Sequence, residues 1–314
     1  MGIGCKAVAP TLPKEKNMRS FIQDLRYALR MLVRNTRLTA AIVLTMALGI
    51  GANSAIFSIV NAVLLRPMPF RDPDQLVALW AKFPSQYGQE KLPVSQPDFR
   101  DWEDQNQVFE RMAIYGFDDV TVRLGAITDR LMAYRVTEAF FEVLAVNPAY
   151  GRPFLSEECA PGGNRAAILS YPTWQGRFGG RLDILGQLLF IDGTPHIIVG
   201  VMPADFKLSL QFFLKGFNTE PALWVSNYFN DSQRGNHDYY ALARLKSGVS
   251  LARAQADMTA IARRLQQQYP DSSMGMELDV MSLRRSLYGH LQTPLLLLLA
   301  VAGLVLVIAC VNIA

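Results

Sequence analysis

The sequence predicts a membrane protein in which two transmembrane α-helices flank an external α+β domain arranged in two lobes. Three observations predict this. Residues 38–65 run for 28 positions without Asp, Glu, Lys, Arg or His. A second apolar run begins at Leu291 and is still apolar at Ala314. Between the two runs, strand-like alternation and helical periodicity intermix over more than two hundred residues.

A bilayer core of about 30 Å takes roughly 20 apolar helical residues, so the first run spans it with a turn or two to spare. Its apolar length is about twice that of a signal-peptide core (7–15 residues), and it starts far from the N-terminus, so it reads as an uncleaved anchor. Charge sets the orientation. Residues 1–37 hold eight of the 31 basic and two of the 27 acidic residues, a net +6 that leaves the remainder at −2. By the positive-inside rule residues 1–37 are cytoplasmic and residues 67–290 external. The basic charge sits beside a membrane helix and not on a groove-binding domain, which excludes a nucleic-acid partner. The second run, 291–314, reads as a transmembrane helix cut short, so the expectation is a longer membrane protein.

Within the cytoplasmic segment, Phe21, Ile22, Leu25, Leu29, Leu32 and Val33 share one helical face over residues 20–35. Arg26, Arg30, Arg34 and Arg37 stack opposite, as in a helix lying in the membrane surface with its arginines toward anionic headgroups. The same pattern also suits a helix packed on another cytoplasmic domain. Residues 1–17 have no periodicity, and Met18 offers an alternative start. In the first membrane helix (38–66), Ala47, Gly51, Ala55 and Ala62 form a small-residue stripe that lets another helix approach closely. Asn53 and Asn61 offer interhelical hydrogen bonds. Gly49-Ile50-Gly51 lacks the third glycine of a dinucleotide fingerprint and lies mid-membrane, so it is set aside.

In the external domain, strands are expected at 76–80, 118–124, 130–136, 165–170, 239–245 and 277–281. Asp192-Gly193 between apolar runs 187–191 and 195–201 is a hairpin signal. Helices are expected from Pro97 through Phe109, over 138–144 with Thr137 as cap, over 172–178, and over 250–269 with Leu251, Ala254, Met258, Ile261 and Leu265 inward. Asp98, Asp101, Glu103 and Asp104 read as a solvated acidic face. Phe212, Phe213, Phe217 and Trp224 read as buried aromatics, with an exposed tip touching membrane or substrate as the alternative.

Several segments resemble the MacB/FtsX-like permeases of ABC transporters, in particular the duplicated orphan type described from acidobacteria. They are residues 24–32 (DLRYALRML), 48–58 (LGIGANSAIFS) and 61–67 (NAVLLRP) near the membrane. Externally they are 140–144 (FFEVL), 151–154 (GRPF), 169–174 (LSYPTW), 177–180 (RFGG) and 199–203 (VGVMP). The resemblance implies a periplasmic core domain over 67–290, a location in the cell inner membrane and a separate ATP-binding subunit. It also implies a dimer or a pseudo-dimer with a second permease unit.

No Walker A, HExxH, GxSxG or CxxC pattern occurs, so neither ATPase nor hydrolase chemistry is expected in this chain, and no catalytic, cofactor or metal residue is assigned. His196, His237 and His290 are far apart in sequence, and Cys159 is the one external cysteine. The expected function is a permease subunit coupling ATP hydrolysis by a separate ATPase to motion of the periplasmic domain. The alternative is a regulatory membrane module controlling a periplasmic partner such as a cell-wall hydrolase.

Overall fold

A computed structural model describes residues 34–65, 68–88, 91–124, 127–207, 220–227 and 233–313. Arg26, Arg30 and most of the expected 20–35 helix lie outside the described residues, as do Phe212, Phe213 and Phe217. Along the chain come α1 (Thr36–Val60), a π-helical turn (Asn61–Leu65), β1 (Leu76–Lys82), α2 (Pro84–Tyr87), α3 (Gln96–Gln105), β2 (Phe109–Leu124), β3 (Ile127–Val136) and α4 (Phe140–Leu144). Next are β4 (Tyr150–Gly151), β5 (Ala166–Leu169), α5 (Tyr171–Phe178), β6 (Leu188–Ile191), β7 (Thr194–Val201) and β8 (Leu223–Ser226). The chain closes with β9 (Tyr240–Leu245), α6 (Leu251–Gln268), α7 (Pro270–Ser273), β10 (Glu277–Ser282) and α8 (Leu283–Ile313). It divides into two compact units, residues 1–66 with 291–314, and residues 67–290.

Two stretches are long and apolar enough to cross a membrane: Thr39–Val60, mean hydropathy 1.8, in the first unit, and Leu283–Val311, mean hydropathy 3.0, which belongs to the first unit from Leu291 on. Their large side chains face outward; Leu48 and Val311 are 73% and 70% exposed. Apolar surface of that extent on isolated helices suits hydrocarbon and not water. Helix α8 begins eight residues before the apolar run, because Arg284, Arg285 and His290 hide its first turns from any hydropathy reading. Pro294 sits inside it, without an N–H for the bond one turn back.

Among the described residues, the second unit is built on one ten-stranded sheet, in the order β10-β1-β9-β2-β3-β8-β5-β7-β4, with β6 pairing β2 and β7. Side chains alternate between its faces. On one face, Ala78, Trp80, Leu242, Ala113, Tyr115, Tyr134, Trp224, Ile168 and Val199 join a single apolar cluster under α4 and Leu283. On the other face the apolar cover divides. Val77, Leu79, Ala243, Ile114 and Val280 pack under α3 and α6, whereas Val120, Val122, Ala133, Leu169 and Val201 pack under α5 and β6. The two clusters part along β2 at Gly116 and Asp118, where Asp118 pairs with Arg135. The sequence leads one to expect two lobes; what is observed is one sheet with one continuous core face, and only the opposite cover divides.

Local rules account for the helices. Ser95, Ser170 and Ser250 accept the backbone N–H three residues on, capping α3, α5 and α6. Asp192 and Gly193, both at positive φ, close the β6–β7 hairpin. Thr137 does not cap α4; its hydroxyl contacts the backbone of Ile114 instead. Strand β2 starts at Phe109, nine residues before the expected strand, and α3 stops at Gln105. From Met112 to Gly116 every residue is buried, on both faces of the sheet, so this part of the segment lacks the alternation that marks a half-exposed strand. Strand β8 was likewise not expected.

The outer edge of β10 is closed by side chains of α6. Gln255 Nε2 donates to Leu278 O at 2.7 Å, and Val280 N donates to Gln255 Oε1 at 2.8 Å. Three turns on, Gln266 Nε2 donates to Met276 O at 2.7 Å. One carboxamide thus satisfies two of the backbone groups that a further strand would take.

Candidate functional site

Within the membrane unit the contact between α1 and α8 has a defined seam. On α1, Ile42, Met46, Gly49, Asn53, Ile56 and Val60 are the less exposed residues, at spacings of four and three. On α8 they are Leu291, Leu295, Leu299, Ala302, Gly303, Leu306 and Ala309. Alternation of four and three is the repeat that keeps one face of a helix against a partner. Asn53 Nδ2 donates to Ala302 O across the seam and to Gly49 O in its own helix, each at 2.9 Å. A Cβ on Gly49 would lie 3.0 Å from Leu306 Cδ1 and 3.9 Å from Leu306 Cα. Stepping four residues back on α1, from Asn53 to Gly49, moves the contact four residues forward on α8, so the helices run antiparallel.

The stripe residues occupy another face. Ala47, Gly51 and Ala55 are exposed, and a Cβ on Gly51 would meet nothing within 4 Å. Ala62 lies in the π-helical turn. Arg34 and Arg37 are exposed at the start of α1. Of the expected interhelical hydrogen bonds the structure gives that of Asn53. Gly49, which the sequence offered only as a fragment of a nucleotide motif, is a contact point. Its signal was its four-residue spacing from Asn53 on the Ile42, Met46, Ile56, Val60 face.

In the external unit, the reading of α3 as a solvated acidic face is corrected in part. Glu103 and Asp104 are exposed, but Asp98 is buried, accepting from Ser95 Oγ at 2.6 Å and from Arg234 Nη1 at 2.7 Å. Arg234 also holds Asp101 at 2.5 Å and lies 3.5 Å from the centre of the Tyr269 ring. The pattern of α3 gives no hint of this, because the cation comes from a loop 136 residues away. Trp224 is buried against Phe141 and Phe206, at 5.8 and 5.5 Å between ring centres.

A cavity of about 190 Å³ is lined by Gln96, Phe99, Glu103, Thr137, Glu138 and Cys159, among others. Burial, with the nearby Glu138 carboxylate, pushes the Cys159 thiol up to about 12, so it stays protonated at neutral pH. His196 is buried in β7 with Nδ1 3.0 Å from Thr194 O, and burial holds its pKa below the ordinary value. His237 Nδ1 lies 3.1 Å from Pro93 O. Among the described residues no three His, Cys, Asp or Glu side chains are grouped to hold a metal ion. The one external thiol is held in its unreactive form.

A sheet domain interrupting a pair of apolar helices defines the class: a membrane protein whose bulk lies outside the lipid. The MacB-like periplasmic core domain family matches residues 39–261. The chain belongs to that family; it is a permease-type membrane protein with a periplasmic segment. The crystal structure of the periplasmic region of MacB from Actinobacillus actinomycetemcomitans is similar at TM-score 0.51 and 11% identity, over 74% of this chain and 98% of that one. That likeness is one of fold. The extracellular domain of the noncanonic ABC-type transporter YknZ from Gram-positive bacteria matches at TM-score 0.47 and 16% identity, over 65% of this chain and 99% of that one. A domain of a putative permease protein from Porphyromonas gingivalis matches at TM-score 0.48 and 18% identity, over 68% of this chain and 91% of that one. No curated protein sequence matches.

Proposed function

We propose that this chain is the permease subunit of an ABC-type export or mechanotransmission system in the inner membrane. A separate ATP-binding subunit hydrolyses ATP, and the membrane helices pass the motion to the periplasmic domain. The observation that carries this reading is the family match over residues 39–261, in a chain with two apolar helices and without a Walker A pattern. On this reading the chain has no ATPase or hydrolase activity and no cofactor of its own. It works as a dimer or beside a second permease unit, as the duplicated orphan type does.

The test is isolation of the tagged full-length protein from its native membrane in mild detergent. An ATPase should co-purify, and its ATP turnover should change when the permease is removed. Recovery of a cell-wall hydrolase without any ATPase would overturn the transport reading in favour of a regulatory module.

A further inference from the structure

Helices that cross a membrane side by side either keep one register or slide past each other by whole turns. Which of these a pair does depends on whether neighbouring registers are also satisfied. In the α1–α8 seam they are not. Glycine at position 49 faces a leucine, Leu306, and the branched amide of Asn53 faces Ala302. Each contact sets a large group against a small one.

A slide of one turn undoes both matches. In one direction Gly49 meets Ala302 and leaves a void, while Asn53 meets Leu298. In the other, Gly49 meets Cys310 and Asn53 meets Leu306 itself. Every helical residue offers a carbonyl oxygen, but access to it depends on the side chains around it. Between Leu291 and Leu306 the less exposed positions of α8 are leucine except at Ala302 and Gly303. The carbonyl that Asn53 reaches lies at this low point of the helix surface. Elsewhere a leucine stands in the way, and a carboxamide facing hydrocarbon is unfavourable.

We infer that Gly49, Asn53 and the Ala302-Gly303 step form a register lock, so that α1 and the membrane part of α8 move as one body. Motion passes through the pair as tilt or rotation, and one helix does not act as a piston along the other. A single polar residue fixing register in an apolar seam is the best-attested use of such a group. The inference concerns the helix pair alone and stands whether or not an ATPase drives it.

Cysteine cross-linking of the full-length protein in membranes tests this, with reporters placed away from the lock. The register puts Val60 level with Leu295. Val60→Cys with Leu295→Cys reports the observed register, and Val60→Cys with Leu291→Cys or Leu299→Cys reports a slide of one turn either way. Linked peptides are quantified by mass spectrometry after mild oxidation.

The in-register pair should dominate. Asn53→Leu should raise the offset share by about three- to thirtyfold, the range expected for one interhelical hydrogen bond. Gly49→Leu, which fills the space taken by Leu306, should shift the ratio the same way. Offset pairs that link as readily as the in-register pair with Asn53 present would overturn the lock. An offset share unmoved by both substitutions would also overturn it.

Discussion

Asp98 separates the structure from the bare sequence, since an acidic face in water and a buried ion pair respond differently to the same change. Consider Asp98→Ala in residues 67–290, a unit with its own core. The substitution removes a carboxylate with 3% of its side chain exposed, which accepts from Arg234 at 2.7 Å and from Ser95 Oγ at 2.6 Å. Stripping one partner from a buried pair costs about 3–5 kcal/mol when the remaining charge is left uncompensated. Arg234 is 16% exposed and keeps Asp101 and the face of Tyr269, so roughly half of that loss, about 2 kcal/mol, is expected. For a domain of 150–250 residues this lowers Tm by about 4–8 °C. Arg234→Met, which leaves two carboxylates without their cation, should cost more, about 3–5 kcal/mol. Urea denaturation followed by fluorescence and circular dichroism gives both values. If Asp98→Ala lowers stability by less than about 0.5 kcal/mol, the range of ordinary surface changes, the ion pair is solvated and the reasoning fails.

Cys159 should react slowly with iodoacetamide. Against the ordinary thiol value of 9.0, a value of about 12 cuts the thiolate fraction at pH 8 about a thousandfold, and the greater nucleophilicity of a more basic thiolate returns part of that. A net slowing of about 30- to 60-fold relative to the denatured domain is expected, and equal rates would refute it. His196 has its folded pKa depressed by burial, so its neutral form favours folding. Its contribution is complete above the unfolded value of about 6.5 and is lost as pH falls from there toward the folded value. Stability measured from pH 8 to 5 should decline below about 6.5, and His196→Gln should flatten that part of the curve; an unchanged slope would dismiss the histidine. For topology, alkaline phosphatase fused after Glu90 should be active and a fusion at Lys16 inactive, and the reverse pattern would invert the orientation.

Where residues carry a strong local pattern, the structure follows the sequence closely. Helix α6 runs Leu251–Gln268 behind its Ser250 cap, with Ala254, Met258, Ile261 and Leu265 buried; Leu251, expected on that face, is exposed. The Asp192-Gly193 turn is equally local. What escaped depends on distant partners. The 112–116 part of β2 shows no alternation because the sheet is covered on both faces there. The single sheet itself rests on β2 pairing with β9, which begins at Tyr240, more than a hundred residues later. In the membrane helix the small-residue stripe was conspicuous, yet the seam within this chain runs through Gly49 and Asn53. Small residues mark where close approach is sterically open, whereas the seam requires a matching contour on α8, which no single helix discloses.

The closed edge of β10 bears on how such domains meet. A sheet is a template, and an unfinished margin accepts any extended segment that reaches it. With Gln255 occupying the place of the next strand and Gln266 the backbone beside it, recruitment by strand addition is opposed between Met276 and Val280. A second copy or another protein has to recognise the side chains of this domain there and not its backbone, which makes association on that flank selective by composition.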